Sequence, residues 1–296
     1  MRYGVVLVTV VVGLAAAALA LLPLVLRHPA QPTYPTLVRQ TTTVWAIPVA
    51  GGAPRQVVKV DGQFTGPVVS ADGRSLLMVK AVGLGESAIW SVPLHGGSPH
   101  WVGRAPYFGQ LSWSPDRTLF AADDGRAVVI HDLSGHTRVL TRLRGEGGAS
   151  FPSWGGGNIA FVRMTHPASG WHLDVELWRA LGERVLSLPL AYPNGSVVLA
   201  PDGHRMALLQ VHKLQLLSGH SRRTLAGDAS QLLPTWTLDG RSLVYVDTKD
   251  ELVIQDVATG RRRALARNVG EPAVSPDSRT VYVATAGVKP AVSIPK

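Results

Sequence analysis

Short apolar runs of four to six residues, each closed by a turn built from Gly, Pro, Ser or Asp, repeat along most of this chain. Their length, period and β-branched content predict strands rather than helices. The fullest unit is Leu111 to Leu140, LSWSPDRTLFAADDGRAVVIHDLSGHTRVL. Two runs flank the turn Ser114-Pro115-Asp116, Asp123-Asp124-Gly125 makes a second turn, and VVIHDL is closed by Ser134-Gly135 before a fourth run, TRVL. The Asp-bearing turn recurs as Ser70-Ala71-Asp72-Gly73, Ala200-Pro201-Asp202-Gly203, Thr237-Leu238-Asp239-Gly240 and Ser275-Pro276-Asp277-Ser278, and in one copy without its Asp, Trp154-Gly155-Gly156-Gly157. Counting that copy at Gly157, the steps are 44, 41, 45, 37 and 38 residues, against about 40–45 for a four-stranded propeller blade.

The third run of the unit appears five times in register, as Ile89-Trp90-Ser91-Val92, Val128 to Leu133, Leu177-Trp178-Arg179-Ala180, Leu214 to Leu217 and Leu252 to Val257. The sixth copy stands at the other end of the chain. Val44-Trp45-Ala46-Ile47-Pro48-Val49-Ala50-Gly51-Gly52 aligns with Ile89-Trp90-Ser91-Val92-Pro93-Leu94-His95-Gly96-Gly97. The N-terminal segment therefore supplies the two outer strands of the last blade, which removes the free sheet edges of an open ring. The expected fold is all-β, a six-bladed β-propeller over residues 44–296. Trp45, Trp90 and Trp178 share one position in the third strand and are expected to pack between blades.

The Ser-Pro-Asp-Gly turn followed by an aliphatic strand, then a W-x-V or H-D-L strand and a Gly turn, resembles the TolB-like family of six-bladed WD-type propellers. The resemblance covers about residues 44 to 285 and implies the fold more than any one activity, since the family includes periplasmic scaffold proteins, sensor domains and propellers attached to peptidase domains. The family's type member carries an extra N-terminal α/β domain. This chain has something else in that place.

Val5 to Leu26 holds no formal charge and is long enough to span a bilayer as a helix. A cleaved signal peptide ending at Ala18-Leu19-Ala20 is the rival reading, but six more apolar residues follow where a mature N-terminus turns polar. Residues 1–27 are thus expected to form one transmembrane anchor, with residues 28–43, carrying Pro29, Pro32 and Pro35, as a semi-stiff linker. Arg2 with the amino group slightly outweighs Arg27, so the positive-inside rule places the propeller on the extracytoplasmic side of the cell membrane. That address removes nucleic acid as a partner despite the net charge of +9.

Candidate chemistry is sparse. There is no cysteine, hence no thiolate zinc site, disulfide or cysteine nucleophile, and no G-x-S-x-G elbow. The turn aspartates are expected to cap backbone N–H groups. Ten histidines are spread over different blades, among them His136 and His220 in equivalent turns, and no metal or other cofactor is expected. The inner-strand positions Val69, Trp113, Trp154, Leu199, Trp236 and Val274 are all apolar, unlike a lyase or cyclase mouth. No catalytic residue is assigned.

Loop insertions in repeat proteins map to a binding face. The loops expected to share one face contain Trp101, Arg104, Tyr107 and Phe108, then Arg142 and Arg144, then Trp171 and His172, then Tyr192, and aromatics beside Arg suit a protein or peptide partner. The opposite face collects arginines, Arg222, Arg223, Arg261, Arg262 and Arg263 above all, which would suit anionic envelope polymer or lipid headgroups. The expected function is a non-catalytic, monomeric interaction module that binds protein or peptide, with a sensor of small molecules or cell-wall fragments as the alternative and a lyase- or cyclase-type enzyme behind it.

Overall fold

The computed structural model describes residues 40–83, 86–105, 110–123, 125–132, 134, 136–142, 147–167, 170–190, 195–286 and 290–292. The expected membrane span lies outside them. Among the described residues no helix is long and apolar enough to cross a membrane.

Six antiparallel sheets form six blades. From the centre outward, blade 1 is β3 (Phe64–Val69), β4 (Ser75–Gly83), β5 (Glu86–Pro93) and β6 (His100–Ala105), and blade 2 is β7 (Ser112–Trp113), β8 (Leu119–Asp123), β9 (Ala127–Asp132) and β10 (Thr137–Arg142). Blade 3 is β11 (Gly147–Gly155), β12 (Asn158–Thr165), β13 (His172–Arg179) and β14 (Arg184–Pro189), and blade 4 is β15 (Gly195–Leu199), β16 (Arg205–Gln210), β17 (Lys213–Ser218) and β18 (Ser221–Ala226). Blade 5 is β19 (Thr235–Trp236), β20 (Ser242–Val246), β21 (Glu251–Asp256) and β22 (Arg262–Arg267). Blade 6 takes β23 (Pro272–Val274) and β24 (Thr280–Thr285) from one end of the propeller sequence and β1 (Thr41–Pro48) and β2 (Arg55–Asp61) from the other.

That closure is the one expected. β1 pairs with β24 from Thr43↔Thr285 to Pro48↔Thr280, and the Trp45 indole N–H donates to Thr285 Oγ1 at 3.1 Å. β1 begins at Thr41, within the stretch read as linker, because the β-branched run Thr41-Thr42-Thr43 continues the ladder with β2. A twenty-fifth strand, β25 (Ala291–Val292), pairs with the outer edge of β22, so blade 5 carries five strands.

The second strands read as unbroken apolar runs because both of their faces are buried. Leu243 and Tyr245 pack toward blade 4 while Val244 and Val246 pack toward blade 6. Ile159 and Phe161 face blade 2, and Ala160 and Val162 face blade 4. Six apolar clusters result, one at each junction of neighbouring blades. Trp45, Trp90 and Trp178 lie in three of these junctions, each toward the preceding blade.

The turn aspartates do what their position suggests. Asp72, Asp116, Asp239 and Asp277 each accept from the Ser or Thr hydroxyl two residues before and from the backbone N–H two residues after. In Asp72, Asp116 and Asp277 the serine hydroxyl, followed by that N–H, holds the carboxyl below its usual range. Asp202 caps the N–H groups of His204 and Arg205. The copy without Asp is a tighter hairpin, with Gly155 paired to Asn158, and its first two glycines have a steric reason. A Cβ on Gly155 would overlap Ala200 O, and one on Gly156, which has φ +52°, would stand 3.0 Å from Asp202 O. Here two neighbouring turns touch backbone to backbone, sealed by Gly156 N–H to Pro201 O at 2.9 Å.

Candidate functional site

In each blade the chain runs outward through antiparallel strands, so the turns after the first and third strands share one face, the turn face. The remaining loops make the other, the loop face. Between them the six inner strands enclose a central channel of about 390 Å³.

At the turn-face end its wall is made of Val69, Trp113, Trp154, Leu199, Trp236 and Val274, the six inner positions read from the repeat. Trp236 is fixed by its indole N–H to Val198 O at 3.0 Å and by the Arg205 guanidinium 5.5 Å above its ring. Trp113 stands edge-on to Phe120 at 5.6 Å, and Phe120 stacks on His131 at 5.0 Å. Arg117 reaches back from the blade 2 turn to donate to Val69 O at 3.2 Å and Ser70 O at 2.8 Å. Those two bonds hold its guanidinium at the junction with blade 1, where burial lowers its pKa.

Three residues upstream of each of those positions the repeat register places a second level: Gly66, Gln110, Phe151, Ser196, Leu233 and Glu271. This level was not read from the sequence. Proline follows four of the six, as Pro67, Pro152, Pro234 and Pro272, which blocks strand addition at the inner sheet edges. Among the described residues lining the channel Glu271 is the one acidic residue. Burial raises its pKa, and backbone hydrogen bonds from Gly66 and Leu233, its neighbours at the same level, pull the other way. Among the described residues the Gln110 Oε1 and Ser196 Oγ atoms are buried without a hydrogen-bond partner, as is Trp113 Nε1. The aligned tetrads Gln110-Leu111-Ser112-Trp113 and Glu271-Pro272-Ala273-Val274 are the signal that would have found it.

Other buried carboxylates have structural partners. Glu176, 1% exposed, receives Arg163 at 3.0 Å, Arg184 at 3.3 Å and the Trp178 indole at 2.8 Å. Among the described residues no group of three His, Asp or Glu side chains gathers as a cation site.

Beyond the second level, toward the loop face, lies an apolar recess of about 560 Å³ walled by Phe151, Val162, Met164, Leu173, Leu209 and Leu233. Leu233 belongs to both recess and channel. A bulge in β11 between Ser150 and Ser153 puts Phe151 at φ +57°, an uncommon conformation for an aromatic residue. Met164 and Leu173 are paired at the loop end of the β12–β13 hairpin. The loop they close carries Trp171, 61% exposed, 4.5 Å ring to ring from His166.

Of the residues assigned to the loop face, Trp171 and His172 stand there, and Arg142 ends β10 on the same side, exposed. Trp101 does not sit in a loop. It is the second residue of β6, paired with Trp90 and 57% exposed on the outer rim, because the chain resumes strand pairing at His100, directly after Pro99. Arg104 is in β6 as well, while Tyr107, Phe108, Arg144 and Tyr192 lie outside the described residues. The arginines of the turn face are largely occupied. Arg223 donates to Val257 O, Arg263 to Val49 O and Arg138 to Ala180 O, each on the next blade. Arg262 pairs with Asp228 at 3.0 Å and Asp247 at 3.6 Å. The side chains of Arg222 and Arg261 are exposed and make no ion pair or hydrogen bond among the described residues.

With this geometry in hand, comparison with solved structures shows the fold. A protein described as a TolB from Agrobacterium tumefaciens matches 86% of this chain and 100% of its own length with a TM-score of 0.66 at 16% identity. TolB from Acinetobacter baumannii matches 85% of this chain and 65% of its own length, with a TM-score of 0.52 at 14% identity. An oligogalacturonate lyase in complex with manganese matches 82% of this chain and 78% of its own, with a TM-score of 0.53 at 16% identity. At such identities the likeness carries the propeller architecture and nothing of the chemistry. No protein-family model matches the chain, and no curated protein matches it by sequence.

Proposed function

We propose that the chain is a non-catalytic propeller, tethered to the cell membrane by its N-terminal apolar segment on the extracytoplasmic side, that binds a protein or peptide partner on its loop face. The observation that carries this reading is the apolar recess of about 560 Å³, with exposed Trp171 on the hairpin that walls it. An aromatic beside a concave apolar pocket is the composition of interface hot spots. The neighbours described as TolB proteins support a scaffold role, whereas a lyase would need several converging acid and base groups and, among the described residues, the channel lining offers Glu271 alone as a carboxyl and no histidine. The test is a pull-down of the solubilised full-length protein against its own cell envelope. Met164→Lys with Leu233→Lys, both half-buried side chains, should abolish capture while leaving the melting temperature within a few degrees. Undiminished capture would remove the recess from the interface.

A second reading has its own observation. Glu271, with the Gln110 Oε1 atom in the same lining and without a hydrogen-bond partner among the described residues, makes the channel suited to a small polar molecule or cell-wall fragment. Native mass spectrometry that finds such a ligand retained by the wild type and lost in Glu271→Gln would favour a sensor over a protein-binding module.

A further inference from the structure

A third cavity, away from channel and recess, lies at the junction where blade 6 closes on blade 1. It measures about 400 Å³ and is lined by Lys59, Asp61, Phe64, Lys80, Trp90 and the turn Gly97-Ser98-Pro99. Lys80 is its centre. The ammonium stands 5.3 Å from the Phe64 ring centroid and 5.2 Å from that of Trp90, between rings set edge-on at 84°. Gly62 makes room for it: a Cβ there would stand 2.5 Å from Lys80 Cε and 3.1 Å from Nζ. Neither Lys80 nor Lys59 forms an ion pair among the described residues. The indole N–H of the same Trp90 is buried without an acceptor among the described residues.

Aromatic faces stabilise an ammonium, but they leave its three N–H donors without strong acceptors. Two lysines without an ion-pair partner among the described residues, Lys80 and exposed Lys59, line this half-enclosed space with Ser98, the Trp90 side chain and one carboxylate, exposed Asp61. We propose that this cavity binds a small oxyanion-bearing ligand, through a carboxylate or phosphate group seated on Lys80 and Lys59. Asp61 lies two residues from Lys59 on the same face of β2 and weakens the site for anions. The inference is independent of the loop-face reading, since its residues touch neither the recess nor the channel.

The test is titration of the full-length protein in detergent at low ionic strength with two probes, inorganic phosphate and citrate. It is followed by the tryptophan indole ¹H–¹⁵N signals, that of Trp90 being assigned from Trp90→Phe. The expected result is a saturable shift of the Trp90 signal with one probe or both, which tells phosphate from carboxylate, reversed by screening salt. Lys80→Met should weaken binding about tenfold or more and exposed Lys59→Gln about threefold, as for loss of a charge-assisted contact, while Asp61→Asn tightens it. Lys59→Gln leaves the packing intact, so it keeps the proposal open to refutation if Lys80→Met fails to fold. No saturable shift with either probe, or equal affinity in Lys59→Gln and Asp61→Asn, would overturn it.

Discussion

Removing β1 should cost this protein its whole fold, although it is one strand of one blade. Val44, Trp45, Ala46 and Ile47 are all buried, Val44 against blade 1 and Trp45 with Ile47 against blade 5. Burying three large apolar side chains contributes about 5–9 kcal/mol, to which the six-residue ladder with β24 adds. A domain of this kind holds about 5–15 kcal/mol in total. Loss of β1 therefore removes most or all of the margin and reopens two sheet edges. The comparison is between chains starting at Gln40 and at Arg55, each unfolded in urea and followed by circular dichroism and tryptophan fluorescence. The longer chain should give one cooperative transition and the shorter one none. Ile47→Ala in the full-length chain, which deletes only a fully buried side chain, should lower stability by about 2–5 kcal/mol. Equal transitions for the two truncations, or an Ile47→Ala variant as stable as the wild type, would refute the reasoning.

Other consequences are narrower. Because burial raises the Glu271 pKa, the folded protein keeps a proton there that the unfolded chain has already lost, so this group lowers stability as pH rises from the ordinary Glu range through the folded value. Glu271→Gln should therefore raise the urea midpoint at neutral pH and leave it nearly unchanged in acid; the same gain at both would contradict the assignment. Arg223→Ala and Arg263→Ala each remove a hydrogen bond to the next blade and should cost about 1 kcal/mol apiece, additively in a double variant measured by urea melts. Gly155→Ala forces a methyl into Ala200 O and should destabilise by about 1–3 kcal/mol, where the same change at open Gly103 has little effect.

Blade number, blade period and the closure were legible because they are written in repeated side chains: the Asp turns, and VWAIPVAGG matched by IWSVPLHGG. The three third-strand tryptophans were legible for the same reason. The second channel level was not, although it sits in the same register, because its six residues share no chemistry: glycine, glutamine, phenylalanine, serine, leucine and glutamate. Attention to repeats hides a position defined by its variation. The turn-face arginines misled in another way, for three of them find backbone carbonyls of the next blade, acceptors that carry no side-chain signature in a sequence. Trp101 was placed by counting loop residues, and a strand that restarts right after Pro99 moved it to the rim. The apolar recess depends on the β11 bulge at Phe151, which no turn residue announces. Val5 to Leu26 stays a reading of the sequence.

The claim that a partner docks on the loop face is tested most directly by site-specific photocrosslinking in the native membrane. A photoreactive residue replaces either Trp171, exposed beside the recess, or Arg222, exposed on the turn face. The account predicts a discrete protein adduct from position 171 and none from 222. An adduct from 222 alone, or none from either position with the full-length protein intact in its membrane, would contradict it.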